Sequence, residues 1–242
     1  MSSTESPVAI VTGASSGIGR DTALLLAEAG YAVVLVARRR DALEEAAHFI
    51  VTETTTTERL EVVSADVADP AAAEAIVEAT LTAFGRVDAL ANCAGSAPLQ
   101  PIDRLTDELV EQTLAVNLKS VISLTRAVWP HFRKQEAGAI CNVSSFASLD
   151  PFTGFNVYAA AKAGVNLFTR CTADEGRKLG ITAAAVAPGA VETPMLRQNF
   201  KPNVIPEAKT LDPLTVAGVI VEVLRGQRPD DNGQTIPLPS PA

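Results

Sequence analysis

Seven short runs rich in valine, isoleucine and alanine alternate along this chain with longer alanine- and leucine-rich stretches, and no other feature restricts the fold so tightly. Runs without polar alternation suit strands buried on both faces, and the segments between them are long enough for helices. Strands are expected at Val8–Val11, Ala32–Val36, Leu60–Ser64, Ala89–Asn92, Ala139–Val143, Thr182–Ala187 and Gln234–Pro237. The alternation never breaks into two parts, which predicts an α/β fold: one doubly wound parallel sheet of about seven strands with helices on both faces. At 242 residues the chain is within reach of one hydrophobic core, so a single domain over 1–242 is expected.

Helix starts are marked by Asp41 with Glu44 three residues on, by Asp69 before Pro70, and by Asp212 before Pro213, where proline takes a position that needs no amide donor. The polar run Thr54–Thr57 reads as a surface connection. Residues 188–212 carry Pro194, Pro202 and Pro206 with no clear period, unusually long for a connection inside a compact domain. A substrate lid over about 189–212 is the expectation.

Charge and cysteine usage narrow the partners. A formal charge of −8, from 28 acidic and 20 basic residues, argues against nucleic acid, which needs a cationic face. Cys93, Cys141 and Cys171 are too few and odd in number for a disulfide framework, which suits a reduced, cytoplasmic setting. The opening MSSTESP lacks the features of a signal peptide, and no apolar run reaches the roughly 18 residues of a membrane span. His48 and His131 have no neighbouring ligand residues, so no metal is expected.

Directly after the first strand comes Thr12-Gly13-Ala14-Ser15-Ser16-Gly17-Ile18-Gly19, which opens the first helix with Gly-x-x-x-Gly-x-Gly spacing. Glycine lets the backbone turn sharply and approach a pyrophosphate, while amides at a helix N-terminus attract its charge. The context is that of a dinucleotide fingerprint on a Rossmann-type sheet.

The octet is similar to the cofactor motif of the classical short-chain dehydrogenases/reductases. That resemblance continues through Asp66-Val67, Asn92-Cys93-Ala94-Gly95, Asn117, Ser145, Tyr158-x-x-x-Lys162 and Pro188-Gly189, over roughly residues 7–225. It implies that Asp66 and Val67 hold the adenine and that Asn92, Ala94 and Gly95 line the cofactor floor. Pro188, Gly189, Val191 and Thr193 would flank the nicotinamide, with Thr193 reaching its amide. It also implies that Tyr158 and Lys162 meet the cofactor as well as the substrate.

At the end of the second strand an acidic side chain would accept from the ribose of NAD. Here the sequence is Val36-Ala37-Arg38-Arg39, and Arg38 suits a bidentate contact with the 2′-phosphate that only NADP carries. NADP(H) is favoured, with NAD(H) as the alternative and a solvated arginine run as the plain reading.

Tyr158 and Lys162 are four apart in a strongly helix-forming stretch, so both project from one face. A phenol with an ordinary pKa of about 10 becomes a better base when a cation favours its phenolate, and Lys162 would supply that cation. Ser145 ends the fifth strand, at the carboxyl edge where open parallel sheets bind ligands, and its hydroxyl suits a substrate carbonyl; Ser144 is its competitor. Asn117 sits inside an expected helix. The resemblance makes it the fourth catalytic residue, holding a water that links the lysine to solvent.

Together these residues point to a hydride transfer between nicotinamide and a carbonyl or secondary alcohol, with Tyr158 as acid and base. Segments 96–100, 150–157 and the lid supply Leu99, Phe152, Phe155, Met195, Leu196 and Phe200, which either contact an apolar substrate or pack the lid. Arg197, Lys201 and Lys209 either meet an anionic substrate or stay solvated. The C-terminal sequence lacks the Asp-Gly-Gly ending frequent among 3-oxoacyl carrier-protein reductases, and a homodimer or homotetramer is expected. Two other functions stay open: a catalytically idle NADP-binding regulator, and a lyase or epimerase with no net redox change.

Overall fold

The computed structural model describes residues 6–54 and 59–241. Seven strands, β1 (Val8–Thr12), β2 (Ala32–Ala37), β3 (Leu60–Ser64), β4 (Ala89–Asn92), β5 (Gly138–Val143), β6 (Ile181–Pro188) and β7 (Thr235–Leu238), form one parallel sheet in the order β3-β2-β1-β4-β5-β6-β7. Every expected strand is present, several longer by a residue or two. The helices are α1 (Gly17–Glu28), α2 (Arg40–Glu53), α3 (Ala72–Phe84), α4 (Asp107–Leu114), α5 (Ser120–Gln135), α6 (Asn156–Gly176), α7 (Pro194–Asn199) and α8 (Pro213–Leu224).

Strand side chains alternate between two cores, because successive residues point to opposite faces. Ala9 and Val11 of β1 join Leu24 and Leu26 of α1 and Ile220 of α8 on one face. Val8 and Ile10 of the same strand join Ile76 of α3 and Leu124, Val128 and Phe132 of α5 on the other. With both faces covered, central strands such as β1 and β2 need few polar positions, which explains their apolar runs.

The strand order reverses direction between β1 and β4, and this opens a crevice at their carboxyl ends. Thr12 fixes its width. Its hydroxyl donates to the Ala91 carbonyl at 3.4 Å and accepts from the Cys93 and Ala94 amides, both at 3.1 Å.

Of three expected helix caps, two are corrected and one is borne out. Asp41 is not a cap: α2 begins at Arg40, and Asp41 lies in its first turn, 3.6 Å from Arg39. Asp69 also precedes its helix rather than capping it. Its carboxylate accepts the Ala71 amide at 2.9 Å and closes a local turn before α3 starts at Ala72. Asp212 does cap α8, accepting from Leu214 at 2.9 Å with Pro213 at the first helical position. Residues 55–57 of the threonine run lie outside the described residues.

Among the described residues no helix is long and apolar enough to cross a membrane. Nor do any three or more His, Cys, Asp or Glu side chains there group to hold a metal ion.

Candidate active site

The glycine turn between β1 and α1 has no room for side chains. Gly13 is left-handed (φ +68°), and a Cβ there would lie 3.0 Å from the Ala94 backbone. Gly17 is also left-handed (φ +54°), and a Cβ would lie 2.9 Å from Thr193 Cγ2. At Gly19 a Cβ would meet the Gly13 carbonyl oxygen at 2.3 Å. Ser16, exposed and extended, stands at the N-cap without a side-chain hydrogen bond, so the first amides of α1, from Gly17, Ile18 and Gly19, keep their donors for a ligand. Ser15 is half-buried beside them. The cradle therefore fits a pyrophosphate: narrow, rimmed by backbone donors and placed on the positive end of a helix.

Across the crevice, Asn92 is buried at the end of β4. Its Nδ2 donates to Asn142 Oδ1 at 2.8 Å, and Asn142 donates in turn to Thr169 Oγ1 on α6 at 2.8 Å. This buried polar chain, which the sequence did not reveal, ties α6 to the sheet. Asn92 Oδ1 is buried and has no hydrogen-bond partner among the described residues.

At the outer end of the cleft, Asp66 is exposed and its carboxylate accepts the Ala68 amide at 3.0 Å, with Val67 half-buried beside it. Arg38 is exposed at the end of β2. Arg40 pairs with Glu44 at 2.9 Å and Arg39 lies near Asp41, whereas no hydrogen bond or ion pair engages the Arg38 guanidinium among the described residues.

Tyr158 and Lys162 project from the first half of α6 toward the end of β5. Lys162 is almost fully buried and its Nζ donates to the Val143 carbonyl at 2.7 Å. Burial pushes its ammonium down to about 8. The net shift of Tyr158 runs opposite to the lowering expected: burial raises the phenol, and a hydrogen bond with Ser145 only partly offsets this. The Lys162 ammonium lies 5.8 Å from the centre of the Tyr158 ring.

Ser145 caps a short 3-10 turn, accepting from the Ala147 amide at 3.2 Å. Ser144, its competitor, is buried beneath and donates to the Lys162 carbonyl at 3.2 Å, so the structure brings Ser145 rather than Ser144 to the phenol.

Asn117 lies in a π-turn, Ala115–Lys119, that joins α4 to α5, rather than in a regular helix. Such single wide turns recur at functional sites. The asparagine is fully buried: Nδ2 donates to the carbonyls of Ser96 at 2.8 Å and Thr113 at 2.9 Å, and Oδ1 accepts the Ser96 amide at 3.2 Å. A Cβ on Gly95 would lie 3.0 Å from Asn117 Oδ1 and 3.7 Å from Lys162 Nζ, so this glycine keeps the space between them open.

Cys93 and Cys141 are inert by comparison. Burial pushes the Cys93 thiol up to about 12 and raises Cys141 as well, so neither supplies a thiolate.

The long connection after β6 begins at Pro188-Gly189, where the Gly189 amide donates to the Leu238 carbonyl at 2.8 Å and the Ala190 amide to Ser240 Oγ at 2.7 Å. Val191 is buried and pairs with Leu211, closing the base of the loop. The interior is not without order: Thr193 caps α7, and a 3-10 turn follows at Glu207–Lys209. Arg197 is paired with Glu192, so it is not available to an anionic substrate; Lys201 and Lys209 are exposed.

Residues 7–203 match the family model described as short chain dehydrogenase. The chain belongs to that family. A 3-oxoacyl-[acyl-carrier-protein] reductase from a Synechocystis species is 37% identical over 224 residues, covering 91% of this chain and 90% of the relative. The crystal structure of a 3-ketoacyl-(acyl-carrier-protein) reductase from Brucella melitensis, complexed with NADH, superimposes with a TM-score of 0.88 at 30% identity, covering 97% of each chain. An actinorhodin polyketide ketoreductase variant with NADPH gives a TM-score of 0.90 at 28% identity, covering 99% of this chain and 98% of its own. This protein is accordingly an oxidoreductase of the alcohol and carbonyl class on a Rossmann-type fold.

Proposed function

We propose that the protein is an NADP(H)-dependent carbonyl reductase in which Tyr158 gives the proton to the substrate oxygen. The observation that carries this reading is the meeting of the glycine cradle with Ser145, Tyr158 and Lys162 at the carboxyl end of the sheet. Nicotinamide, when bound, supplies the hydride.

The residues of this chain do the rest. Ser145 donates to the carbonyl oxygen and holds it beside the phenol. Burial keeps the Tyr158 phenol protonated in the resting site, and the proton passes to the substrate oxygen as the hydride reaches the carbonyl carbon. Lys162 places a positive charge behind the phenol and stabilises the phenolate left once the proton has gone. Asn117 fixes the Ser96 backbone next to Gly95, close to Lys162. This reading assigns Asn117, Ser145, Tyr158 and Lys162 as the catalytic set.

For the cofactor, we assign Gly13, Ser15, Ser16, Gly17, Ile18 and Gly19 to the pyrophosphate and Asp66 with Val67 to the adenine. Asn92, Ala94 and Gly95 form the floor, and Pro188, Gly189, Val191 and Thr193 the nicotinamide side. Thr12 is assigned to the cofactor cleft as well, where its hydroxyl accepts from the Cys93 and Ala94 amides. Arg38 provides the preference for NADP(H) over NAD(H), since among the described residues it alone of the three consecutive arginines has no acidic partner. Residues 189–212 act as the substrate lid of one domain spanning the chain. A cytoplasmic homodimer or homotetramer is part of the same reading, supported by the unpaired cysteines for the reducing compartment.

The test is spectrophotometric. Purified protein with a panel of ketones, aldehydes and quinones should oxidise NADPH stoichiometrically and in preference to NADH. Product formed while total NADPH stays constant would point to a lyase or epimerase instead, and NADPH binding without turnover on any substrate would point to a regulator.

A further inference from the structure

One guanidinium folds the lid onto itself. Arg197, on α7, donates from Nε to Glu192 Oε1 at 2.6 Å and from a terminal nitrogen to Glu192 Oε2, a two-pronged match of donor and acceptor. Its other terminal nitrogen donates to the carbonyls of Ile205 at 2.8 Å and Phe200 at 3.2 Å. A single side chain thus binds the residue before α7 to two points of the chain after it. Thr210 adds a hydrogen bond to Glu192 Oε2 at 3.2 Å, close to the Val191–Leu211 pairing at the base of the loop.

The folded lid is fastened across the cleft. Asn199, the last residue of α7, donates to the Ala97 carbonyl at 2.7 Å. Next to it the Phe200 ring stands 6.0 Å from Phe155, nearly perpendicular, and Phe155 stands 5.5 Å from Tyr158. An aromatic row therefore leads from the lid to the phenol.

We propose that Arg197 is a positioning residue that makes the lid a preformed wall. It sets Phe200 and Phe155 beside Tyr158 so that the site selects uncharged carbonyl compounds bearing an aromatic ring over saturated ones of the same size. This inference rests on Tyr158 as the proton donor. A wall already in place has little ordering entropy left to lose when substrate binds. Edge contacts from two rings favour an aromatic substrate beyond the area it buries. Arg197 offers no charge to an anion, because Glu192 already neutralises it.

Acetophenone and cyclohexyl methyl ketone, which share a carbon skeleton, are the probes, with NADPH as reductant. Wild type is expected to favour acetophenone about tenfold in kcat/KM. Phe200→Leu should bring the ratio close to unity. Arg197→Met should lower it mainly by raising KM for acetophenone, and Arg197→Lys should not restore it, since lysine lacks the fork. A readout without turnover runs alongside: trypsin should cleave after the exposed Lys209 severalfold faster in Arg197→Met than in wild type, with the thermal midpoints compared to show that both remain folded.

The inference is overturned if wild type reduces other carbonyls but not acetophenone, if the ratio is near unity in wild type, or if folded Phe200→Leu keeps the wild-type ratio. Unchanged cleavage and an unchanged ratio in Arg197→Met would overturn the positioning role. Absence of NADPH oxidation with every carbonyl tested would instead overturn the reductase reading on which the inference rests.

Discussion

Lys162 Nζ donates to the backbone carbonyl of Val143 at 2.7 Å, tying the middle of α6 to the end of β5 one helical turn from Tyr158. The lysine is thus held in place by the sheet before any cofactor arrives, in a pocket dry enough to lower its ammonium to about 8.

That shift makes stability depend on pH. Between about 8 and the ordinary value near 10.4, the unfolded chain keeps the Lys162 proton while the folded chain has lost it, so stability rises with pH across this window. Below about 8 the full penalty of the buried charge is present. Denaturant titrations of the cofactor-free protein at pH 7.0 and 10.0 should show wild type gaining on the order of 3 kcal/mol relative to Lys162→Met. A difference between the two proteins that does not change with pH would contradict the account.

Arg38 is expected to control cofactor choice. Arg38→Ser removes a charge-assisted contact of about 1.5–3 kcal/mol, so the Kd for NADPH should rise roughly tenfold to a hundredfold while that for NADH hardly moves. Titration calorimetry with both dinucleotides checks this. Equal weakening of the two would mean that Arg38 does not meet the 2′-phosphate.

Gly17→Val should abolish cofactor binding without unfolding the core. The glycine is left-handed and faces Thr193, so a branched side chain adds strain of about 1–2 kcal/mol and blocks the cradle. Loss of NADPH binding with a thermal midpoint within a few degrees of wild type is the expected pair of results.

Thr12→Val should destabilise the protein by about 1–3 kcal/mol, because the Cys93 and Ala94 amides lose their shared acceptor. Chemical denaturation measures this directly, and weaker NADPH binding should accompany it.

The sheet was legible because burial on both faces leaves a continuous apolar signature in its central strands, such as Val8–Thr12 and Ala32–Ala37. The positions of Tyr158 and Lys162 on one helical face followed from their spacing alone. Other features depend on contacts between distant segments, which no local pattern encodes. The π-turn at Asn117 is one, since helix propensity gives no sign of the wider turn. The partner of Lys162 is another, a carbonyl 19 residues away, as is the burial of Tyr158, which raises its phenol where a lowering was expected. Asp41 and Asp69 show the limit of reading caps from single residues, because Arg40 and Ala72 set the real helix starts. The Glu192–Arg197 clasp had a local sign, opposite charges on either side of Thr193-Pro194, but only the fold of the lid shows that they meet.

The most direct test of the central claim is single-turnover reduction of a carbonyl substrate by the NADPH-loaded enzyme, comparing wild type with Tyr158→Phe. Loss of the hydroxyl should slow the reaction by about 100- to 10,000-fold while NADPH affinity, measured by calorimetry, stays nearly unchanged. A Tyr158→Phe enzyme that binds NADPH normally and reduces substrate at the wild-type rate would contradict the account.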